Sequence, residues 1–214
     1  MKRGVLILSL FMTLSPLALF CEVQTYRGIE CGNLDIERCQ ETIDQNIPES
    51  MLSTIEFIQN EQMSLIPNVT MPNCYWTVLA FLNFIDRTVL RYIDDFEFED
   101  ILKKDFVDIP ENELQPGDLV VPWLHYDLVA IDHDSQNRPI RLYSKNRKRP
   151  FHAAIYLGEV QGNGIFFQKH DRWNSVFSLT TLDSIFKVYN QMISSGFNGA
   201  YQNKYLKDQF YRLK

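Results

Sequence analysis

A chain of 214 residues with a formal net charge of −6 is long enough for one domain with a full hydrophobic core, and its acidic balance argues against nucleic acid as the main partner. The cysteines at positions 21, 31, 39 and 74 show no Cys-x-x-Cys spacing, and His125, His133, His152 and His170 make no zinc pattern. Neither a structural metal nor another cofactor is expected.

Met1-Lys2-Arg3 followed by an uncharged apolar run from Gly4 to Phe20 has the charged and apolar regions of a secretory signal. Residues 1–20 are read as an export signal, and nothing later is long and apolar enough to span a membrane, so the mature chain is expected in the periplasm or outside the cell. An exported chain can form disulfides. If Cys21 leaves with the signal, Cys31 with Cys39 is the natural bridge and Cys74 stays free; if Cys21 is retained, the pairing among the first three stays open. Residues 21–48 read as an irregular N-terminal arm or cap, and 49–214 as the main domain.

The apolar stripe Met51, Leu52, Ile55, Phe57 and Ile58 predicts a helix from about Pro48 to Gln62. Pro72 disfavours helix just before it and Asn73 is a good N-cap. The run that follows to Ile85 has only Thr77 and Asn83 as polar members, which predicts a buried helix starting at Cys74. Tyr92 to Phe106 reads as a second amphipathic helix with a solvated acidic face. Pro110 and Pro116-Gly117 then punctuate a loop. Beyond it Asp118–Val121, Asp127–Ile131 and Ile140–Tyr143 are predicted as short strands, with the basic run from Lys145 to Arg149 as a solvated turn. Phe151–Gly158 and Ile165–His170 make a hairpin around Gln161-Gly162-Asn163-Gly164. Thr180-Thr181-Leu182-Asp183 resembles a capping box for a helix to about Met192, and the tail from Tyr201 supplies a last helical turn or an edge strand. Helices first and strands after predict an α+β domain, N-terminal helices packed on an antiparallel sheet.

Two stretches carry chemistry. A cysteine in the first turn of a helix sits among unpaired amide donors at the positive end of the dipole; with an imidazolium nearby, such a thiol can fall from about 8.5 to roughly 3.5–7.5. In Phe151-His152-Ala153-Ala154-Ile155-Tyr156-Leu157-Gly158 the strand period puts His152, Ala154 and Tyr156 on one face and Ala153, Ile155 and Leu157 on an apolar core face. On the partner strand Phe166, Gln168 and His170 share a face, and the register decides whether Gln168 or His170 meets His152. Either would fix one ring nitrogen and leave the other to take a thiol proton.

The order of Asn73-Cys74-Tyr75-Trp76 opening a helix, then Leu114-Gln115-Pro116-Gly117-Asp118-Leu119-Val120, then His152-Ala153-Ala154-Ile155-Tyr156-Leu157-Gly158, resembles the NlpC-type cell-wall peptidases and the related CHAP amidases, both papain-like cysteine hydrolases. The resemblance spans about residues 70–170. It implies a papain-like core with Cys74 as nucleophile, His152 as general base and Gln168 as the third polar residue, Lys169 and His170 being the other occupants of that place. It also implies the Cys74 backbone amide as an oxyanion donor and peptidoglycan stem or cross-link peptides as substrate. Two other functions fit the same residues: an inactive secreted binding module of the same fold, or a cysteine acyltransferase or effector acting on another substrate.

Overall fold

The computed structural model of the protein describes residues 24–53, 55–56, 72–170, 177–196 and 201–214. The expected export signal over residues 1–20, and the part of the expected helix from residue 57 to Gln62, lie outside the described residues; residues 49–53 are helical. The architecture is α+β. Nine strands form one sheet in the order β1-β2-β8-β7-β6-β4-β9-β3, with β5 joined to β4, and every pairing is antiparallel except that of β2 with β8. Here β1 is Thr25–Tyr26, β2 Ile29–Glu30, β3 Phe106–Ile109, β4 Leu119–His133, β5 Pro139–Pro150, β6 Ala154–Val160, β7 Asn163–Lys169, β8 Phe177–Thr181 and β9 Tyr201–Leu213. The helices are α1 (Ile36–Asn46), α2 (Cys74–Phe81), α3 (Asp95–Asp105) and α4 (Leu182–Gly196). Among the described residues no helix is long and apolar enough to cross a membrane.

The arm is not irregular. Asp35 caps α1 by accepting from Arg38 N at 2.9 Å, a Cys31–Cys39 disulfide ties the helix to β2, and Ile29, Ile43 and Ile47 enter the same core as α2. Polar composition hid this because α1 exposes most of its surface and buries one stripe.

Helix α2 starts where the sequence puts it and stops four residues short of Ile85. Asn83 adopts a left-handed conformation (φ 57°), Phe84 N donates to Leu79 O at 2.9 Å and Asn83 N donates to Ala80 O at 3.1 Å. This is a Schellman ending, with asparagine in the place glycine usually takes. Residues after it fold back so that Phe84 packs on Phe106.

The strands after Pro116 differ most from expectation. The three predicted short strands are one long hairpin, β4 with β5, and the basic run Lys145–Arg149 lies inside β5, paired through His125↔Lys148 and Leu124↔Arg149. Charged side chains on a strand facing solvent look like a turn when composition alone is read. The tail is also more central than an edge: β9 pairs with both β3 and β4. The entrance to β4 is a turn in which Asp118 N donates to Gln115 O at 2.9 Å and Gly117 takes φ 98°, the left-handed position a type II turn requires. The Arg212 guanidinium clamps it with a two-pronged bond to Asp118, 2.9 and 2.7 Å.

One feature of this sheet positions the site. Along one edge, β4 pairs with β6 at Leu119 and Val120 and with β5 from Trp123 onward. Between them stands Pro122, which has no N–H to give; its carbonyl accepts from Phe151 N at 2.9 Å. His152 sits in that break, just before β6 begins. The β6–β7 hairpin closes through Gln161 (φ 55°) and Gly162 (φ 74°), the two left-handed residues of a type I′ turn. A bulge at Leu157 then sets the pairs Tyr156↔Phe166 and Ile155↔Phe167.

Candidate functional site

Local sequence positions the two candidate groups, Cys74 and His152. Asn73 Oδ1 accepts from Trp76 N at 3.2 Å, and its Nδ2 donates to Ile93 O at 2.6 Å, so the cap also anchors the preceding chain to the segment before α3. Cys74 thus occupies the first turn of α2 with 8% exposure, on a cavity of about 410 Å³ lined in part by Tyr92, Arg149, Phe151, His170 and Tyr189. Tyr75 OH donates to Pro150 O at 2.8 Å and ties the helix start to the end of β5.

On the sheet, Ala153, Ile155 and Leu157 pack against α2 in the main core as the strand period requires. The opposite face, carrying His152, Ala154 and Tyr156, is not solvated: α4 covers it with Ile185 and Tyr189. His152 is 1% exposed and Gln168 fully buried, and His152 Nε2 lies 2.6 Å from Gln168 Oε1. Gln168 Nε2 reaches His170 Nε2 at 3.1 Å. His152 Nδ1 lies 2.9 Å from the Tyr189 hydroxyl, which is also 2.9 Å from His170 O, with the His152 and Tyr189 ring centroids 4.6 Å apart. Lys169 points to the other side of the strand, buried on the α2 side.

Proton counting assigns the network. Gln168 Oε1 only accepts, so His152 Nε2 carries the proton and donates to it, while Gln168 Nε2 donates to His170. Burial pushes the His152 imidazole down to about 3, against the pull of the Gln168 bond, so the ring is neutral at pH 7 and Nδ1 is a lone pair. The Tyr189 hydroxyl, with one proton, donates to Nδ1 and has His170 O as its other acceptor.

Cys74 is also neutral here. Burial pushes the thiol up to about 12, outweighing the amide N–H groups of Ala153, Tyr75 and Cys74 itself and the positive charge of Lys169. The low thiol pKa expected from a helix start beside an imidazolium is therefore absent: the imidazolium is missing and the sulfur is desolvated. Among the described residues no hydrogen bond joins Cys74 Sγ to the His152 ring, whose two nitrogens are taken by Gln168 and Tyr189. The Ala153 amide beside the sulfur nevertheless places Cys74 next to the residue that follows His152.

The structure brings His152, Gln168 and His170 into one hydrogen-bonded set and puts Cys74 on the cavity that His170 and Tyr189 also line. Tyr189 was not singled out from the sequence. Its signal was there: Ile185, Tyr189 and Ile193 share the buried stripe of α4, and a buried tyrosine needs a partner for its hydroxyl. No described group of three His, Cys, Asp or Glu side chains gathers to hold a metal. No protein-family profile, curated protein or solved structure matches this chain.

Proposed function

We propose that this chain is an exported cysteine hydrolase with a papain-like core that cleaves an amide bond in cell-wall peptide. The observation that carries the reading is the buried pair His152–Gln168, held at 2.6 Å, with the histidine in the tautomer that leaves Nδ1 as the base and a first-turn cysteine on the adjoining cavity. The Cys31–Cys39 bridge supports export, since disulfides persist in oxidising compartments.

In this reading the Cys74 sulfur bonds to the substrate carbonyl carbon while the thiol proton passes to His152 Nδ1, and the carbonyl oxygen becomes an oxyanion that the Cys74 amide helps to hold. The imidazolium returns that proton to the leaving amine as the C–N bond breaks, leaving a thioester. Water then adds, again losing a proton to Nδ1, and the acid leaves as the thiol re-forms. Gln168 accepts from Nε2–H throughout and keeps the ring in one tautomer. Since both groups are neutral at rest, proton transfer accompanies attack instead of preceding it.

The test is incubation of the mature protein with peptidoglycan fragments, read by mass spectrometry and by new amino groups. Release by wild type that disappears in Cys74→Ser and in His152→Gln is the expected result. No cleavage of any fragment by folded wild type would sink the substrate assignment. A second reading, an inactive binding module of the same fold, draws on the high thiol pKa and the occupied Nδ1. It is favoured if, in addition, Cys74 reacts with a thiol reagent no faster with His152 than without it.

A further inference from the structure

A histidine enclosed this completely has a difficulty as a base: once protonated, its Nδ1–H must find an acceptor away from water. We infer that Tyr189, with the His170 carbonyl, is a two-position hydroxyl that serves His152 in both protonation states and so permits a buried histidine to take and return a proton. This rests on His152 being the base for Cys74.

The geometry allows the switch without moving a ring. Tyr189 O lies 2.9 Å from His152 Nδ1 and 2.9 Å from His170 O. With neutral His152 the phenol proton points to Nδ1. The hydroxyl first rotates about its C–O bond to donate to His170 O, which frees the one Nδ1 lone pair to take the thiol proton, and its oxygen lone pair then accepts from the new Nδ1–H. No proton is created or lost in the rotation; the one gained by His152 comes from Cys74. The second bond is charge-assisted, hence the stronger of the two, so the hydroxyl favours the imidazolium.

Tyr189 is held for this. Its ring meets Phe151 edge-on, centroids 5.5 Å apart, and the helix that carries it buries Ile185 beside it. Gln168 cannot substitute, because it serves Nε2 and its amide is spent on His170. The charged or titratable groups around the ring are His170 just after β7, Lys169 at the end of β7, Cys74 on α2, and Arg149 with Asp95, 3.3 Å apart at the cavity wall. Among the described residues, Nδ1 is hydrogen-bonded by the Tyr189 hydroxyl and by none of these groups. Tyr189 is thus a positioning residue, acting through His152.

The experiment follows the reaction of Cys74 with dithiodipyridine in the mature chain, from pH 6 to 9, with the modified cysteine identified by peptide mass. It needs no substrate, so it stands apart from the fate of the cell-wall assignment. Tyr189→Phe should slow the reaction at least ten-fold at pH 7, and 3-fluorotyrosine at position 189, which keeps the hydroxyl, should restore it. In a His152→Gln background Tyr189→Phe should change nothing further. An unchanged rate would make Tyr189 mere packing, and a faster one would make it a cap that holds His152 back. Equal slowing in the His152→Gln background would show the effect to be structural. Each of these three overturns the proposal.

Discussion

Two titratable side chains, each bound by several partners, come out with opposite charge states. Asp127, at the β4 bend of the long hairpin, accepts from Asn203 Nδ2 at 2.7 Å, from Asn146 N at 2.9 Å and from Tyr143 OH at 3.0 Å. These donors, Asn203 foremost, hold its carboxyl below the usual range, so it stays charged. His152 has two partners, Gln168 and Tyr189, and burial leaves it neutral. What decides the state is the balance of burial and partners: donors aimed at the Asp127 oxygens outweigh its desolvation and preserve the anion, whereas burial of His152 outweighs the Gln168 bond that favours the charged ring. Asp127 is built to stay as it is, pinning the bulges where β5 and β9 leave the β4 register.

The strongest way to break the contrast is to empty the buried position. His152→Ala leaves a hole and strands the buried Gln168 Oε1, while Tyr189 OH keeps His170 O, so urea unfolding should show a loss of about 3–5 kcal/mol. A loss under about 1 kcal/mol would mean that the network relaxes and was never tightly built.

Acid separates the two groups by their pH windows. His152 is lowered from near 6.5 in the unfolded chain to about 3 in the folded one, so between those values the unfolded chain binds more protons and stability rises with pH. Stability is therefore whole above about pH 6.5 and falls by up to about 1.4 kcal/mol per unit as pH drops below it. The Asp127 carboxyl, also depressed by folding, contributes fully above its unfolded value near 4 and loses that contribution only as pH falls further. Urea midpoints measured from pH 7 to 3 should lose the upper limb of this fall in His152→Gln and keep the lower one; Asp127→Asn should do the reverse. Matching profiles in the two variants would refute the assignment of charge states.

How much of this was legible depends on whether the cause was local. The cap at Asn73, the start of α2 at Cys74 and the tight turn at Gln161-Gly162 depend on a few adjacent residues, and the sequence shows them. The alternation that sends Ala153, Ile155 and Leu157 to the core is likewise local. The burial of the His152 face is not, because it depends on α4 returning some 30 residues later to cover it, and an antiparallel strand with one polar residue in view looks half-solvated until then. The expected thiolate failed for the same reason: helix position favours the charge, but the desolvation that outweighs it comes from elements distant in sequence. The continuous β4–β5 hairpin was missed because Asp127 and the basic run look like punctuation, and their roles at the bulges and on the exposed strand surface appear only in the paired sheet.

The smallest test concerns that basic run, where charge sits beside a histidine instead of being kept from it. Lys148 Nζ lies 4.5 Å from the centre of the Trp123 ring and directly across from His125 in the β4–β5 register. His125 titrates low chiefly because it is partly buried, and then because of the charges of Lys148 and Lys207. Lys148→Ala should cost about 0.5–1 kcal/mol in urea unfolding, the size of a cation–π contact at a surface. The sharper readout is His125 itself. Removing one of two nearby cations should raise its pKa, followed by NMR, part of the way back to 6.5, and Lys148→Arg should leave it low. If His125 does not move in Lys148→Ala, then burial alone sets it, and the exposed end of the hairpin obeys the same rule as the enclosed site around His152.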